Sequence, residues 1–152
     1  MQVFTIVRAK TADVELAREA MLELHERKTF VQDAMVKFLS DPASYLFLAL
    51  EDGRVAGSLF GYALAHPPMC EPQFLLYEVD VRPQTRRRGI GKALVQAFIA
   101  AARTAGAFEV WVITNQSNDA AMAMYAACGL RRENPDDVML ALPLTTLLPS
   151  TR

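Results

Sequence analysis

Cysteine is scarce in this chain. Cys70 and Cys128 are the whole complement, too few for a disulfide framework, so reduced thiols in a cytosolic protein are the expectation. Charge of one sign is lacking too. Lys and Arg number 16 against 17 Asp and Glu, a formal net charge of −1, whereas a general nucleic-acid binder carries a strong basic excess. Long apolar runs are missing as well. Charge, glycine or proline interrupts each of them well before the roughly 20 residues that a bilayer requires. Residues 1–8 read as a strand and lack a signal-peptide pattern, so no membrane partner and a cytoplasmic location are expected. His25, His66, Cys70 and Cys128 do not have the ligand spacing of a zinc site, and no metal is expected. Repeats, low-complexity tracts and linkers are absent, which predicts one domain over residues 1–152.

What remains is an apolar share of 52 %, enough for a real core, beside 22 % charged residues. Residues 3–7 read as a strand. A helix follows Thr11, with Val14, Leu16, Met21, Leu22 and Leu24 among its apolar positions. Thr29-Phe30-Val31-Gln32 has the form of a capping box opening a second helix, in which Phe30, Ala34 and Phe38 recur as one buried face. Asp41-Pro42 stops it. Strands at 45–50 and 54–65 join through Asp52-Gly53, a hairpin signal, and 74–81 is a further strand. A basic, glycine-containing turn opens a helix over 91–104 that Gly106 ends. A strand at 108–113, a helix capped by Ser117 or Asn118 and closed by Gly129, and a last strand at 138–142 complete the order β-α-α-β-β-β-α-β-α-β. This is a mixed α/β domain.

The segment Tyr77-Glu78-Val79-Asp80-Val81-Arg82-Pro83-Gln84-Thr85-Arg86-Arg87-Arg88-Gly89-Ile90-Gly91-Lys92 carries the most chemistry. A strand runs through a turn directly into a helix, whose first amides point outward without partners and attract an anion. Arg86, Arg87, Arg88 and Lys92 add positive charge, which suits a pyrophosphate. Taken alone, a Gly-x-Gly beside arginines fits a solvated turn equally well. The spacing matches neither a dinucleotide-binding Gly-x-Gly-x-x-Gly nor a P-loop.

Alternation along the strand puts Glu78 and Asp80 on one face, opposite Val79 and Val81. Two carboxylates there are costly to bury without a cation. An amine substrate supplies one, and Glu78 could take its proton directly or through water; the alternative is that this face is simply wet. His66, before Pro67-Pro68, is the rival base and reads as a loop residue. No Ser-His-Asp arrangement can be read from chain order.

One helix and one strand later comes Asn118-x-x-Ala121-x-x-Met124-Tyr125-x-x-x-Gly129-Leu130. Together with the Arg-x-x-Gly-x-Gly turn, it resembles the GCN5-related N-acetyltransferase (GNAT) superfamily over nearly the whole chain. The resemblance implies a sheet whose fourth and fifth strands splay, and acetyl-coenzyme A as cosubstrate. It implies the pyrophosphate on the amides of Arg86, Arg87, Arg88, Gly89, Ile90 and Gly91, beside Lys92. The pantetheine arm would lie along Val79–Val81, with Asn118 and Ala121 on the coenzyme's other side. Tyr125 would stand near the thioester sulfur as catalytic acid, with Glu78 as catalytic base.

Within the superfamily the chain looks like the type I aminoglycoside 3-N-acetyltransferases. That likeness lies in Tyr77-Glu78-Val79-Asp80-Val81, Asn118-Asp119, Tyr125 and Arg132-Glu133-Asn134-Pro135-Asp136-Asp137-Val138-Met139. Glu78 stands where that family has Asp, and the N-terminal helices diverge. The implied acceptor is a cationic aminoglycoside held by Glu78, Asp80, Asp119, Asp136 and Asp137. Asn-Pro-Asp-Asp is also good turn chemistry. A polyamine, a peptide or protein amine, and a non-catalytic coenzyme-A-binding domain stay open as alternatives. Many relatives dimerise, and the apolar run 138–148 leads to the expectation of a homodimer.

Overall fold

Along β2 (Ser44–Glu51) the side chains alternate between two apolar layers, and this alternation lays out the molecule. Tyr45, Phe47 and Ala49 join one buried cluster; Leu46 and Leu48 join another on the opposite face. The computed structural model describes residues 3–145. Its sheet has the order β1 (Thr5–Arg8), β2, β3 (Arg54–Leu64), β4 (Gln73–Val81) and β5 (Glu109–Val112). All neighbours pair antiparallel except β4 and β5, which are parallel. Asp52 and Gly53, at φ 50° and 76°, make the expected tight turn between β2 and β3.

Helix α1 (Val14–Glu19) and α2 (Gln32–Ser40) cover one face of the sheet, where Ala17, Ala20 and Leu24 pack on Val55 and Phe60. The other face carries α3 (Ile90–Thr104), whose Ile90, Leu94, Val95, Phe98 and Ala102 form its buried stripe. Helix α4 (Asp119–Ala127) adds Tyr125 to that layer. Phe98 is wholly buried, so truncating it to Ala costs about 3–5 kcal/mol. No helix among the described residues is long and apolar enough to cross a membrane.

Two irregularities position the site. The β3–β4 register jumps from Phe60↔Glu78 to Gly61↔Leu76, leaving Tyr77 as an extra residue in β4. Gly61 sits at this bulge, where a Cβ would collide with the Leu75 carbonyl and approach the Phe98 ring at 2.7 Å. Before the bulge, Phe74 and Leu76 point into the α3 layer; after it, Val79 and Val81 do. Glu78 and Asp80 therefore face α1 and not the apolar α3 layer. At the same level β4 loses its neighbour: pairing with β5 ends at Leu76↔Val112, so the expected splay is present.

The second irregularity is in the N-terminal helix. It opens with a 3-10 turn, Thr11–Asp13, closed by Asp13 Oδ2 accepting from the Lys10 amide at 2.8 Å. Past Glu19 it widens into a π turn, Ala20–Leu24, in which the His25 amide donates to the Ala20 carbonyl at 3.2 Å. Such turns re-aim the residues that follow.

Two sequence expectations need correction. Thr29 does not cap α2: the helix starts at Gln32 after an extended Val31, without a side-chain cap. Of the two expected caps of α4, Asn118 is the one present, its Oδ1 accepting from the Ala121 amide at 3.1 Å. Residues 138–142 form no strand. Val138, Leu140 and Leu142 are 79 %, 89 % and 80 % exposed, and an extended segment becomes a stable strand only with a partner edge. The expected apolar run extends to Leu148, and its residues 146–148 lie outside the described ones.

Candidate active site

Beyond the bulge, Glu78 and Asp80 point at the end of the π turn, where the protein supplies its own cations. The His25 side chain has no exposed surface, and its Nδ1 lies 3.3 Å from both Glu78 Oε1 and Asp80 Oδ2. Neither contact is aligned as a hydrogen bond. The other ring nitrogen, Nε2, is 2.5 Å from Ser58 Oγ, and the ring meets Phe60 edge-on at 5.2 Å. Arg27 donates to Glu78 Oε2 at 2.9 Å. Burial alone lowers the imidazole pKa; Asp80 and Glu78 together outweigh it, and the net shift is upward. His25 is thus a buried imidazole between two carboxylates that favour its protonated form.

The expectation that the acid pair relies on a substrate for its counter-charge is corrected here. Chain order could not reveal this, because His25 and Glu78 come together only through the π turn and the bulge. The cost of pairing Glu78 with Asp80 was the one signal that a cation must be near. His25, Glu78 and Asp80 also offer ligand atoms within 4.8 Å of one another. Histidine and cysteine spacing alone does not announce this grouping. The rival base His66 lies past the Leu64↔Gln73 end of the β3–β4 pair, with its ring against Phe108 at 5.0 Å. Glu78 is five residues further along β4 than Gln73, roughly 16 Å away.

Below the acid pair, Arg82 clasps the strand end to α1. Its guanidinium donates to Glu19 at 2.9 Å, Glu23 at 2.6 Å and the Val55 carbonyl at 3.0 Å. Sequence reasoning gave Arg82 no role. The next residues turn sharply: Arg87 has φ 63° and Gly89 φ 81°. The left-handed region is uncommon for a residue with a Cβ, and successive amides of such a turn curl around a concavity suited to an anion. Helix α3 begins directly after it, adding its own free first-turn amides.

The basic side chains divide their roles. Arg88 is paired with Glu51, and Arg86 Nε donates to the Val81 carbonyl at 3.1 Å, so both brace the turn. Arg87 and Lys92 make no ion pair among the described residues. A diphosphate fits this donor set, with backbone amides as the cradle and two cations in reserve.

Tyr125 is buried on α4, and burial first, then the Asp80 and Cys128 charges, push its pKa up to about 12. It is therefore a phenol, able to donate a proton, at all neutral pH values. Ala121 packs on the α3 layer one turn before it. Asp119, in the first turn of α4, is exposed. Asp136 and Asp137 form the anticipated turn: the Asp136 amide donates to Asn134 Oδ1 at 3.0 Å and Asn134 Nδ2 to Asp137 Oδ1 at 3.0 Å. Arg132 ties this turn to Gln116, in the loop before α4, at 3.1 Å.

A mixed sheet parting between β4 and β5, a left-handed turn carrying β4 into the free amides of α3, a carboxylate pair on β4 and a buried phenol on α4 describe an acyltransferase fold. The chain belongs to the acetyltransferase (GNAT) family, whose model matches residues 12–130. Among sequence relatives, N-acetyltransferase 8 of Rattus norvegicus is 29 % identical over 104 residues, covering 68 % of this chain. The match spans only 47 % of that protein, so the chain reaches across about half of the relative's length. Among solved structures, the aminoglycoside acetyltransferase meta-AAC0020 from a soil metagenomic sample, in complex with sisomicin, is 25 % identical with a TM-score of 0.79, covering 94 % of this chain and 97 % of that one. Aminoglycoside N-acetyltransferase AAC(6')-Iy in complex with CoA shares the fold at 20 % identity and TM-score 0.76, with 93 % and 95 % coverage.

Proposed function

We propose that this chain transfers the acetyl group of acetyl-coenzyme A directly to a cationic amine, an aminoglycoside acetylated on its 3-amino group. The observation that carries the reading is the pair Glu78 and Asp80, turned by the bulge to the strand end that leads into the diphosphate cradle. An ammonium arriving there meets two carboxylates, one of which can take its proton. Asp119, Asp136 and Asp137 extend the acidic surface toward α4, where a polycation gains further contacts.

Acetyl-coenzyme A would supply an activated acyl group, its diphosphate on the amides of Arg86–Gly91 and its arm along Val79–Val81. Asn118 has Oδ1 committed to its helix cap and Nδ2 left to donate to the coenzyme. Glu78 accepts the proton that makes the amine a nucleophile. A backbone N–H of β4 beyond the splay polarises the acyl oxygen. Tyr125 protonates the departing thiolate and regains a proton from the acylated nitrogen.

A homodimer belongs to the same reading. The exposed apolar run from Val138 to Leu144 suits a second copy of the chain better than water.

Thiol release from acetyl-coenzyme A over a panel of aminoglycosides, spermidine and lysine peptides tests the proposal. Turnover confined to aminoglycosides supports it, with the acetylated nitrogen read by NMR of the product. Turnover of spermidine or peptides alone removes the aminoglycoside and keeps amine acetylation. Coenzyme binding without turnover of any amine leaves a non-catalytic binding domain.

A further inference from the structure

On the α1–α2 side of the sheet lies an open cavity of about 280 Å³. Met21, Phe30, Met35, Phe38, Phe60 and Tyr62 form most of its wall. Four aromatic rings and two thioethers make a surface that water solvates poorly and that an apolar group would cover favourably. The rings are locked to one another: Phe38 meets Phe60 edge-on at 6.4 Å and Tyr62 at 5.8 Å. The cavity is thus a formed recess.

Two of its wall residues also belong to the acid site. Phe60 faces Glu78 across the β3–β4 register and touches the His25 ring. Arg27 lines the cavity and donates to Glu78. An amine delivered to Glu78 therefore arrives at the cavity's edge. An aminoglycoside, covered in hydroxyl and ammonium groups, has no part that covers such a wall.

We infer that the enzyme has a second class of acceptor: primary amines on an apolar arm, an alkyl chain of about six carbons or a phenyl-sized ring. The arm fills the cavity and the ammonium pairs with Glu78 and Asp80. Charge complementarity places the amine, and the volume suits the arm, close to the lower limit of about 300 Å³ for small-ligand pockets. The reaction balances as an acyl transfer. The amine nitrogen forms a bond to the acetyl carbon and the carbon–sulfur bond breaks. One proton of the ammonium leaves through Glu78; the thiolate takes one from Tyr125, and the second proton lost by the acylated nitrogen restores the Tyr125 phenol. The inference rests on the reading that Glu78 receives the acceptor amine.

The test is a series of n-alkylamines from ethylamine to hexylamine, with phenethylamine and one aminoglycoside beside them, followed by thiol release. We expect kcat/KM to rise about fourfold per added methylene, the factor for burying one CH₂, until the arm fills the recess. Ala34, exposed on α2 and part of the wall, offers a block. In Ala34→Trp the advantage of hexylamine over ethylamine should fall to near one, with folding checked by thermal melt. Met35→Ala, which enlarges the recess, should move the optimum to a longer arm. A flat series from an enzyme that acetylates the aminoglycoside overturns the inference and leaves the proposed function standing. A rising series with a silent aminoglycoside supports it and removes that acceptor. A rise unaffected by both variants rejects the cavity as the seat, and silence on every amine removes both readings.

Discussion

His25 Nδ1 stands 3.3 Å from Glu78 Oε1, on a ring without exposed side-chain surface. The carboxylate on which the proposed reaction depends thus borders a buried imidazole whose protonated form the two acids favour. A histidine whose pKa rises on folding stabilises the folded state in full below its unfolded value of about 6.5, and loses that contribution as pH climbs through the folded value. His25 has such a raised pKa. The urea midpoint of the wild type should therefore exceed that of His25→Gln most at about pH 6, the gap narrowing toward about pH 9. A gap that widens with pH would show the ring to be buried neutral.

Replacing Glu78 with Gln keeps the shape and removes the base. We expect kcat/KM for amines to fall about 10²–10⁴-fold, with coenzyme affinity by calorimetry within about twofold of the wild type. Raising the pH should recover part of the rate, because the free amine then needs no base. A variant that also loses the coenzyme would mean that Glu78 holds the strand end and does not act on the amine.

In Tyr125→Phe the ring stays buried and only the proton donor goes. The expected loss is in kcat, about 10²-fold or more, with KM for both substrates nearly unchanged. Because the wild-type phenol is pushed up to about 12, its ionisation should leave no alkaline limb in the rate profile below about pH 11. An alkaline limb present in the wild type and lost in the variant would contradict this placement.

Arg82 joins α1 to the end of β4 through Glu19 and Glu23 and caps the Val55 carbonyl. Arg82→Ala should cost about 2 kcal/mol, the scale of a charge-assisted bond, read by denaturant titration. It should also weaken coenzyme binding, since the cradle follows Arg82 directly.

If the apolar run pairs with a second copy, Leu140→Asp with Leu142→Asp should shift the elution volume from dimer to monomer in size-exclusion chromatography with light scattering. An unchanged volume would refute the pairing.

Much of this molecule is legible in its residues, but unevenly. Asp52-Gly53, the glycine after α3 and the glycine after α4 are local signals whose physics acts within a few residues, and those turns appear where the patterns put them. The acid pair was legible because β alternation runs through Glu78, Val79, Asp80 and Val81 regardless of what precedes them. His25 and Arg27 were not: they follow a π turn, which no periodicity announces, and their acidic partners lie more than fifty residues away. The strand expected at 138–142 failed for a related reason. Its alternation gives a propensity, and a propensity becomes a strand only against an edge.

The extra residue at Tyr77 divides β4 into two stretches of opposite phase, like a dislocation in a crystal row. Upstream, the even-numbered positions belong to the core; downstream, the even-numbered positions belong to the chemistry. Drawing Tyr77 into regular pairing would shift the downstream phase by one and swing Glu78 and Asp80 into the layer beneath α3, turning a site into a defect. Substitutions along β4 are thus read correctly only after asking on which side of Tyr77 they fall. An alignment that slips by one residue across this point would exchange core positions for chemical ones.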